Sequence, residues 1–130
     1  MNDYKRDLEE LILSVMHENG SDIHLSTGRH PAIRVSGDLL YLVKKDVVTK
    51  ESARGFLDVL LDKAQMARFM ESQEIDFAYD YKGQARLRGN AYFHRGSIAI
   101  ALRLIPKVKT LEELNLPPIL ETFTKKKQGF

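Results

Sequence analysis

Two stretches of alternating polar and apolar residues, joined by Arg95-Gly96, constrain the fold more than any other part of the sequence. They read R-L-R-G-N-A-Y-F-H before the turn and S-I-A-I-A-L-R after it. Period-two alternation on both sides of a two-residue turn that contains glycine is typical of a β-hairpin. The pattern predicts two long antiparallel strands, over about residues 84–94 and 97–105.

The register of this hairpin follows from the turn, because pairing His94 with Ser97 brings Arg88 opposite Arg103. One face of the pair is then apolar, with Leu87, Gly89, Ala91 and Phe93 against Leu104, Leu102, Ile100 and Ile98. The other face carries Arg86, Arg88, Asn90 and Tyr92 against Ile105, Arg103, Ala101 and Ala99. A slip of one residue would mix the two faces, so the sequence pattern fixes the pairing.

Three helices are predicted from the spacing of apolar residues and from the residues at the helix ends. Apolar residues recur at helical spacing over about residues 3–19, where Asn19-Gly20 provides a left-handed stop. Thr49 is the expected N-cap of a second helix, and Asp62 with Gln65 forms a pattern like a capping box at the start of a third.

The remaining strands are shorter. The sequence D-I-H-L-S reads as a strand, and A-I-R-V and L-L-Y-L-V form a hairpin around Ser36-Gly37-Asp38. I-D-F-A-Y-D-Y alternates and reads as a further strand before the long hairpin. The order of helices and strands predicts an α+β fold, with a mixed or antiparallel sheet of about six strands and helices packed on one face.

Composition excludes several classes of function. The chain has no cysteine, which excludes thiol catalysis, iron-sulfur clusters and cysteine zinc sites. A net charge of +2 is too small to indicate a nucleic-acid partner. The sequence contains neither an 18-residue apolar stretch nor a secretory signal, so a cytoplasmic location is expected.

Arg88 and Arg103 are the strongest candidates for a binding site. Two arginines directly opposite each other repel, which favours an anion between them, and a phosphate suits their planar donor groups. Asn90 could add a further donor. Alternatively, the two arginines splay apart on a solvated face and pair with a local carboxylate such as Asp76 or Asp80. The residues alone leave both interpretations open.

Other candidate residues are weaker. Asp22 and His24 share a strand face and could bind a metal or relay a proton, but no third ligand is evident, and a buried histidine paired with the aspartate is favoured. His30 and His94 are expected at the surface, and Lys125 to Lys127 in a solvated segment. No metal site is predicted, and the phosphate loop G-x-x-x-x-G-K-S/T does not occur in the chain.

Five motifs occur in order along the chain: G-S-D-I-H-L-S-T-G-R-H-P-A-I-R-V-S-G-D-L, E-I-D-F-A-Y, A-R-L-R-G-N-A-Y, L-R-L-I-P and T-L-E-E-L-N-L-P. Together they closely resemble the N-terminal domain of type IV pilus retraction ATPases, the PilT family. The resemblance implies a PAS-like domain over residues 1–107, followed over 108–130 by a linker and the start of a truncated RecA-like ATPase domain. Because the ATPase motifs would lie beyond Phe130, the chain alone is expected to be inactive.

The resemblance also implies partners and a site. The parent would be a cytoplasmic homohexamer at the inner face of the cytoplasmic membrane, using ATP and Mg, in contact with an inner-membrane pilus platform protein. This domain would pack against the ATPase domains of its own chain and of a neighbour, without tightly bound cofactor in the fragment. Arg88 and Arg103 match arginines that the family directs at the γ-phosphate. Gly89 departs from the bulky apolar residue usual there, so a bend or bulge is expected.

Two alternatives to a retraction ATPase remain. One is a stand-alone PAS-like sensor or protein-interaction domain, which would have a sizeable apolar pocket between its sheet and helices. The other is the equivalent domain of a pilus-extension or type II secretion ATPase, which the family resembles more distantly.

Overall fold

A computed structural model describes residues 3–106 and has the predicted α+β fold. Within these residues three helices and six strands follow one another along the chain. The helices are α1 (Tyr4–His17), α2 (Lys50–Leu60) and α3 (Lys63–Ser72). The strands are β1 (Asp22–Ser26), β2 (Ala32–Val35), β3 (Asp38–Tyr41), β4 (Glu74–Tyr81), β5 (Ala85–His94) and β6 (Ser97–Pro106).

All six strands form one antiparallel sheet in the order β3-β2-β1-β6-β5-β4. Strands β1 to β3 form one half and β4 to β6 the other. The halves join where β1 pairs with β6, although about 70 residues of sequence separate Ser26 from Ser97. The first and last parts of the domain therefore meet in the middle of the sheet.

Capping side chains define the helix starts. The Asp3 side chain accepts a hydrogen bond from the Arg6 backbone N–H at 3.0 Å. Thr49 and Ser52 form a complete capping box at α2, and Asp62 and Gln65 form another at α3, which confirms both predicted N-caps. Helix α1 ends at His17, two residues before the predicted position, and Asn19 has the expected left-handed φ of 58°.

The helices cover one face of the sheet. Leu8, Ile12 and Val15 of α1 and Leu57 of α2 are fully buried. They belong to one cluster with the apolar faces of the central strands, which include Ile23, Leu25, Leu87, Ile100 and Leu102. The opposite face of the sheet carries the polar half of each alternating strand, as the pattern predicted.

The hairpin of β5 and β6 has the predicted register at every position, with Arg88 opposite Arg103 and Asn90 opposite Ala101. Positive φ angles at Arg95 (54°) and Gly96 (80°) match the two-residue turn that suits the twist of a hairpin. The β2–β3 turn is shorter than predicted: Asp38 pairs with Val35 as a strand residue, so the turn is Ser36-Gly37 alone, and β3 ends at Tyr41.

Gly89 does not produce the expected bulge. The pairing of β5 with both neighbouring strands runs through it without interruption, opposite Phe77 and Leu102. A methyl group at this position would lie 2.3 Å from the Phe77 ring and 2.8 Å from the Leu102 side chain. The phenyl ring of Phe77 therefore occupies the space that a larger residue 89 would need.

None of the helices in residues 3–106 is long and apolar enough to cross a membrane.

Candidate functional site

Charged side chains form one row across the open face of the sheet. Strand pairing places Arg34, Asp22, Arg103 and Arg88 side by side on β2, β1, β6 and β5. We call these four residues the charged row. Ala78 on β4 continues it beyond Arg88. The row contains three cations and one carboxylate, so it carries a net positive charge.

Asp22 is the centre of the charged row. One carboxylate oxygen accepts from Arg103 Nε at 3.1 Å, and the other lies 3.4 Å from Arg34 Nε. The Ser21 hydroxyl donates to it at 3.2 Å. Asp22 is 7% exposed and is the buried charged residue of the described part of the chain. A buried carboxylate needs such partners, since leaving it unpaired would be costly.

Arg88 differs from Arg103 in its surroundings. Its side chain is exposed, and within residues 3–106 it makes no hydrogen bond or ion pair. Arg103 does pair with a carboxylate, as the alternative interpretation expected, but its partner is Asp22 rather than Asp76 or Asp80. The two arginines therefore lie opposite each other, but only Arg103 has a carboxylate partner among the described residues.

Asn90 lies in the neighbouring row, beside Arg88 on β5. Its amide nitrogen is 2.8 Å from Asp76 Oδ1, and 3.4 Å from both Ile75 O and Glu74 Oε2. These three acceptors fix the orientation of the amide. That Asn90 donates to an anion stays a prediction, and it would require the second N–H of the amide to give up its 3.4 Å contacts while the first stays on Asp76.

The charged row borders a groove of about 690 Å³ on the open face. The small side chains of Ala78 and Ala101 form the floor of the groove. The longer side chains of the arginines, Asn90 and His24 surround them. The groove therefore contains both predicted arginines and both sheet halves contribute to it.

His24 is half-buried in this groove, separated from Asn90 by Ala101 in the sheet. The predicted pairing of His24 with Asp22 is wrong, because both oxygens of Asp22 face Arg103 and Arg34. Strand β6 places Arg103 next to Asp22 and Ala101 next to His24, and the local sequence does not reveal that β6 is the neighbour of β1. His24 is instead a further lining residue.

The other histidines lie away from the charged row. His94 is exposed, as predicted, whereas His30 is half-buried with Nδ1 2.9 Å from the Lys45 carbonyl oxygen. Lys125 to Lys127 lie outside the described residues. Residues 3–106 contain no cluster of three or more histidine or carboxylate side chains that could hold a metal ion.

Sequence analysis missed the role of two residues. Arg34 and Asp22 were not predicted as parts of the arginine site, although both alternate correctly on their strands. The β2–β1 pairing could have been inferred from the short chain between the strands. The β1–β6 pairing could not, because nothing local links residues that are 81 positions apart, such as Asp22 and Arg103.

The donors of the groove suit one tetrahedral anion. Two guanidinium groups on adjacent strands can each offer parallel N–H donors to phosphate oxygens. A hydrated Mg²⁺ requires carboxylate or phosphate oxygens, but the nearby carboxylates Asp22 and Asp76 are held by Arg103 and Asn90. The described residues therefore offer donors that suit a phosphate-like anion, and their nearby carboxylates already have partners.

Comparisons with known proteins agree with the sequence motifs. No family model matches the chain. The type IV pilus ATPase PilU of Pseudomonas aeruginosa is 30% identical over 124 residues, and the type IV pilus retraction ATPase PilT of the same organism is 34% identical over 116. These matches cover 95% and 88% of this chain but 32% and 33% of those proteins. The chain thus spans about a third of the length of these relatives.

Solved structures give the same result. The crystal structure of the pilus retraction motor PilT with bound ADP matches 85% of this chain and 33% of that one, with 27% identity and a TM-score of 0.71. The ATPase DotB of Legionella pneumophila has the same fold over 88% of this chain and 33% of its own, with a TM-score of 0.66 at 24% identity. By sequence and by fold, the chain is a homologue of the N-terminal region of the PilT and PilU type IV pilus ATPases.

Proposed function

We propose that this chain is the N-terminal domain of a type IV pilus retraction ATPase, and that Arg88 and Arg103 contact the γ-phosphate of ATP. The observation that carries the proposal is the pairing of these two arginines side by side on the open face of a fold that matches PilT. Two adjacent cations repel, and Asp22 offsets the charge of Arg103 but not that of Arg88, so an anion between the two arginines would remove the repulsion that remains.

The two arginines would act by stabilising charge. As a phosphoryl group transfers, negative charge spreads over its oxygens, and arginines positioned there lower the barrier. The phosphate loop, the metal ligands and the residue that orients water would come from the ATPase domain. In this division of work the described domain supplies positive charge, and it completes the site only when it closes over the nucleotide.

The proposal includes the wider assembly. Residues 1–107 would form the N-terminal domain, and 108–130 the linker and the first part of a RecA-like ATPase domain. Six copies would form a ring in which this domain packs against the ATPase domains of its own chain and of a neighbour. The ring would bind ATP and Mg at the cytoplasmic side of the inner membrane, against a platform protein of the pilus. The chain aligns to about a third of the length of PilU and PilT, which supports a longer parent protein.

A stand-alone sensor is less well supported. That function needs an apolar pocket between helices and sheet, but the facing side chains there, such as Leu8, Leu57 and Ile23, pack together with no exposed surface. The fold alone does not separate the retraction type from the equivalent domain of a secretion or extension ATPase, because the ATPase DotB has the same fold. The retraction type is favoured by the identity to PilT.

The gene that encodes the chain tests this proposal. We expect the reading frame to continue past Phe130 into a phosphate-loop motif, and the complete protein to hydrolyse ATP with Mg²⁺ while residues 1–130 do not. A stop codon directly after Phe130 would contradict the proposal. So would a complete protein that assembles and binds ATP but has no hydrolytic activity.

A further inference from the structure

The strongest unassigned feature is Asp22 of the S-D-I-H motif, which touches one arginine of the proposed pair and not the other. Its carboxylate lies against Arg103 Nε at 3.1 Å, and the side chains of Arg103 and Asp22 are 72% and 10% exposed. Arg103 is thus held at its inner end by a buried anion while its terminal nitrogens extend into water. Arg88, one strand further, makes no such contact within residues 3–106.

Asp22 is itself fixed from three sides. Ser21 donates to the same oxygen that faces Arg34, at 3.2 Å, and Arg34 in turn donates from Nη1 to the Gly37 carbonyl oxygen at 3.0 Å. These contacts restrict the movement of the carboxylate. Charge-assisted hydrogen bonds of this kind are stronger than neutral ones and restrict both partners.

We infer that Asp22 is a positioning residue. It holds the Arg103 guanidinium in place before an anion binds, whereas Arg88 becomes ordered only when the anion binds. The inference rests on the proposed function for its catalytic consequence. Because Asp22 uses Nε of Arg103, the two Nη groups stay free to donate to phosphate oxygens. The guanidinium is oriented before the anion arrives, so less entropy is lost on binding.

The spectrum of the arginine Nε–H groups of this chain tests the positioning directly. In the wild-type chain we expect the Arg103 Nε–H to exchange with solvent about tenfold more slowly than the Arg88 Nε–H. Asp22→Ala should bring the Arg103 rate to that of Arg88. Adding inorganic pyrophosphate should slow exchange at Arg88 more than at Arg103, since only Arg88 becomes newly ordered.

Two further variants guard against an unfolded or indirect result. Asp22→Asn keeps the shape of the side chain and one acceptor oxygen, so Arg103 should show intermediate protection even if Asp22→Ala fails to fold. Asp58→Asn, which breaks the exposed pair with Arg54 on α2, should not affect Arg103. Equal exchange at Arg88 and Arg103 in the wild type, or full protection of Arg103 in Asp22→Ala, would overturn the inference.

Kinetics of the complete ATPase separate this inference from the proposed function. Asp22→Asn should lower kcat by about tenfold to a hundredfold with little change in KM for ATP, and should have no further effect when Arg103 is already alanine. Independent, multiplying losses in the double variant would contradict a role through Arg103. A normal kcat for Arg103→Ala would instead defeat the proposed function, while the exchange rates would still decide whether Asp22 fixes Arg103.

Discussion

Replacing Gly89 with alanine should destabilise the domain, because β5 passes too close to Phe77 to accept a side chain. The added methyl carbon would lie 2.3 and 2.5 Å from two ring carbons of Phe77, and 2.8 Å from Leu102 Cδ2. A Cβ atom essentially never lies within 3.0 Å of another heavy atom outside its own chain neighbours, so the ring, the leucine or the strand must move. Phe77 is 7% exposed and Leu102 is 1% exposed, which leaves both little room.

The size of the effect follows from two opposing contributions. Overpacking of a filled core costs about 1–3 kcal/mol. Alanine recovers about 0.5–1 kcal/mol relative to glycine in a strand, because it loses less backbone freedom on folding. The three contacts below 3.0 Å place the overpacking cost in the upper part of its range, at about 2–3 kcal/mol. The net loss is then about 1–2.5 kcal/mol, which in a domain of this size lowers Tm by about 5–20 °C.

Thermal unfolding of residues 1–130 measures this, and a double-mutant cycle with Phe77→Leu identifies the cause. Leucine removes the outer ring carbons, so Gly89→Ala should cost less in the Phe77→Leu background than in the wild type, with a coupling energy of at least about 0.5 kcal/mol. A Gly89→Ala variant as stable as the wild type would refute the packing at this position. Strictly additive losses would show that Phe77 is not the obstacle.

Three further predictions concern the chain by itself. Residues 1–130 should bind ATP only weakly and hydrolyse none, because two arginines without a phosphate loop hold only the terminal phosphate; micromolar affinity by calorimetry would contradict this. The chain should be monomeric by light scattering, since the proposed ring contacts need an ATPase domain, and a stable hexamer would disprove that. Lys45, whose Nζ lies 2.6 Å from Glu10 Oε1, lowers the pKa of the Glu10 carboxyl by hydrogen bonding and charge. The Lys45–Glu10 interaction therefore stabilises the fold above the ordinary pKa of 4.5, and this stabilisation is lost as the pH falls through the lowered pKa. Glu10→Gln should be less stable than the wild type at pH 7 and equal to it in strong acid. Urea unfolding at the two pH values measures the difference.

Local patterns were sufficient for most of the fold. The hairpin of β5 and β6 was predicted residue by residue because its turn is short and its two faces differ in polarity, which leaves one register. The helix starts at Thr49 and Asp62 were predictable for a similar reason, since a cap is recognised by side chains only three residues apart. In each case the determining contacts lie close together in the sequence.

The support of the arginine site could not be predicted, because it depends on contacts between distant parts of the chain. Asp22 meets Arg103 only because β1 pairs with β6, and no local pattern specifies which strands become neighbours. The same limit explains the failed pairing of His24 with Asp22. Gly89 was expected to bend the strand because it departs from the family pattern, whereas the ring of its partner Phe77 occupies the space that a side chain at position 89 would need.

The turnover of the complete ATPase with single alanine substitutions tests the proposed role of the arginines most directly. Arg88→Ala and Arg103→Ala should each lower kcat by at least about a hundredfold, because each removes a charge that acts on the transferring phosphoryl group, while ATP affinity should change much less. Arg86→Ala is the matched control: it lies on the same strand and face but opposite Ile105, so its kcat should stay close to that of the wild type. Near-normal kcat in both Arg88→Ala and Arg103→Ala would contradict the proposal that these residues contact the γ-phosphate.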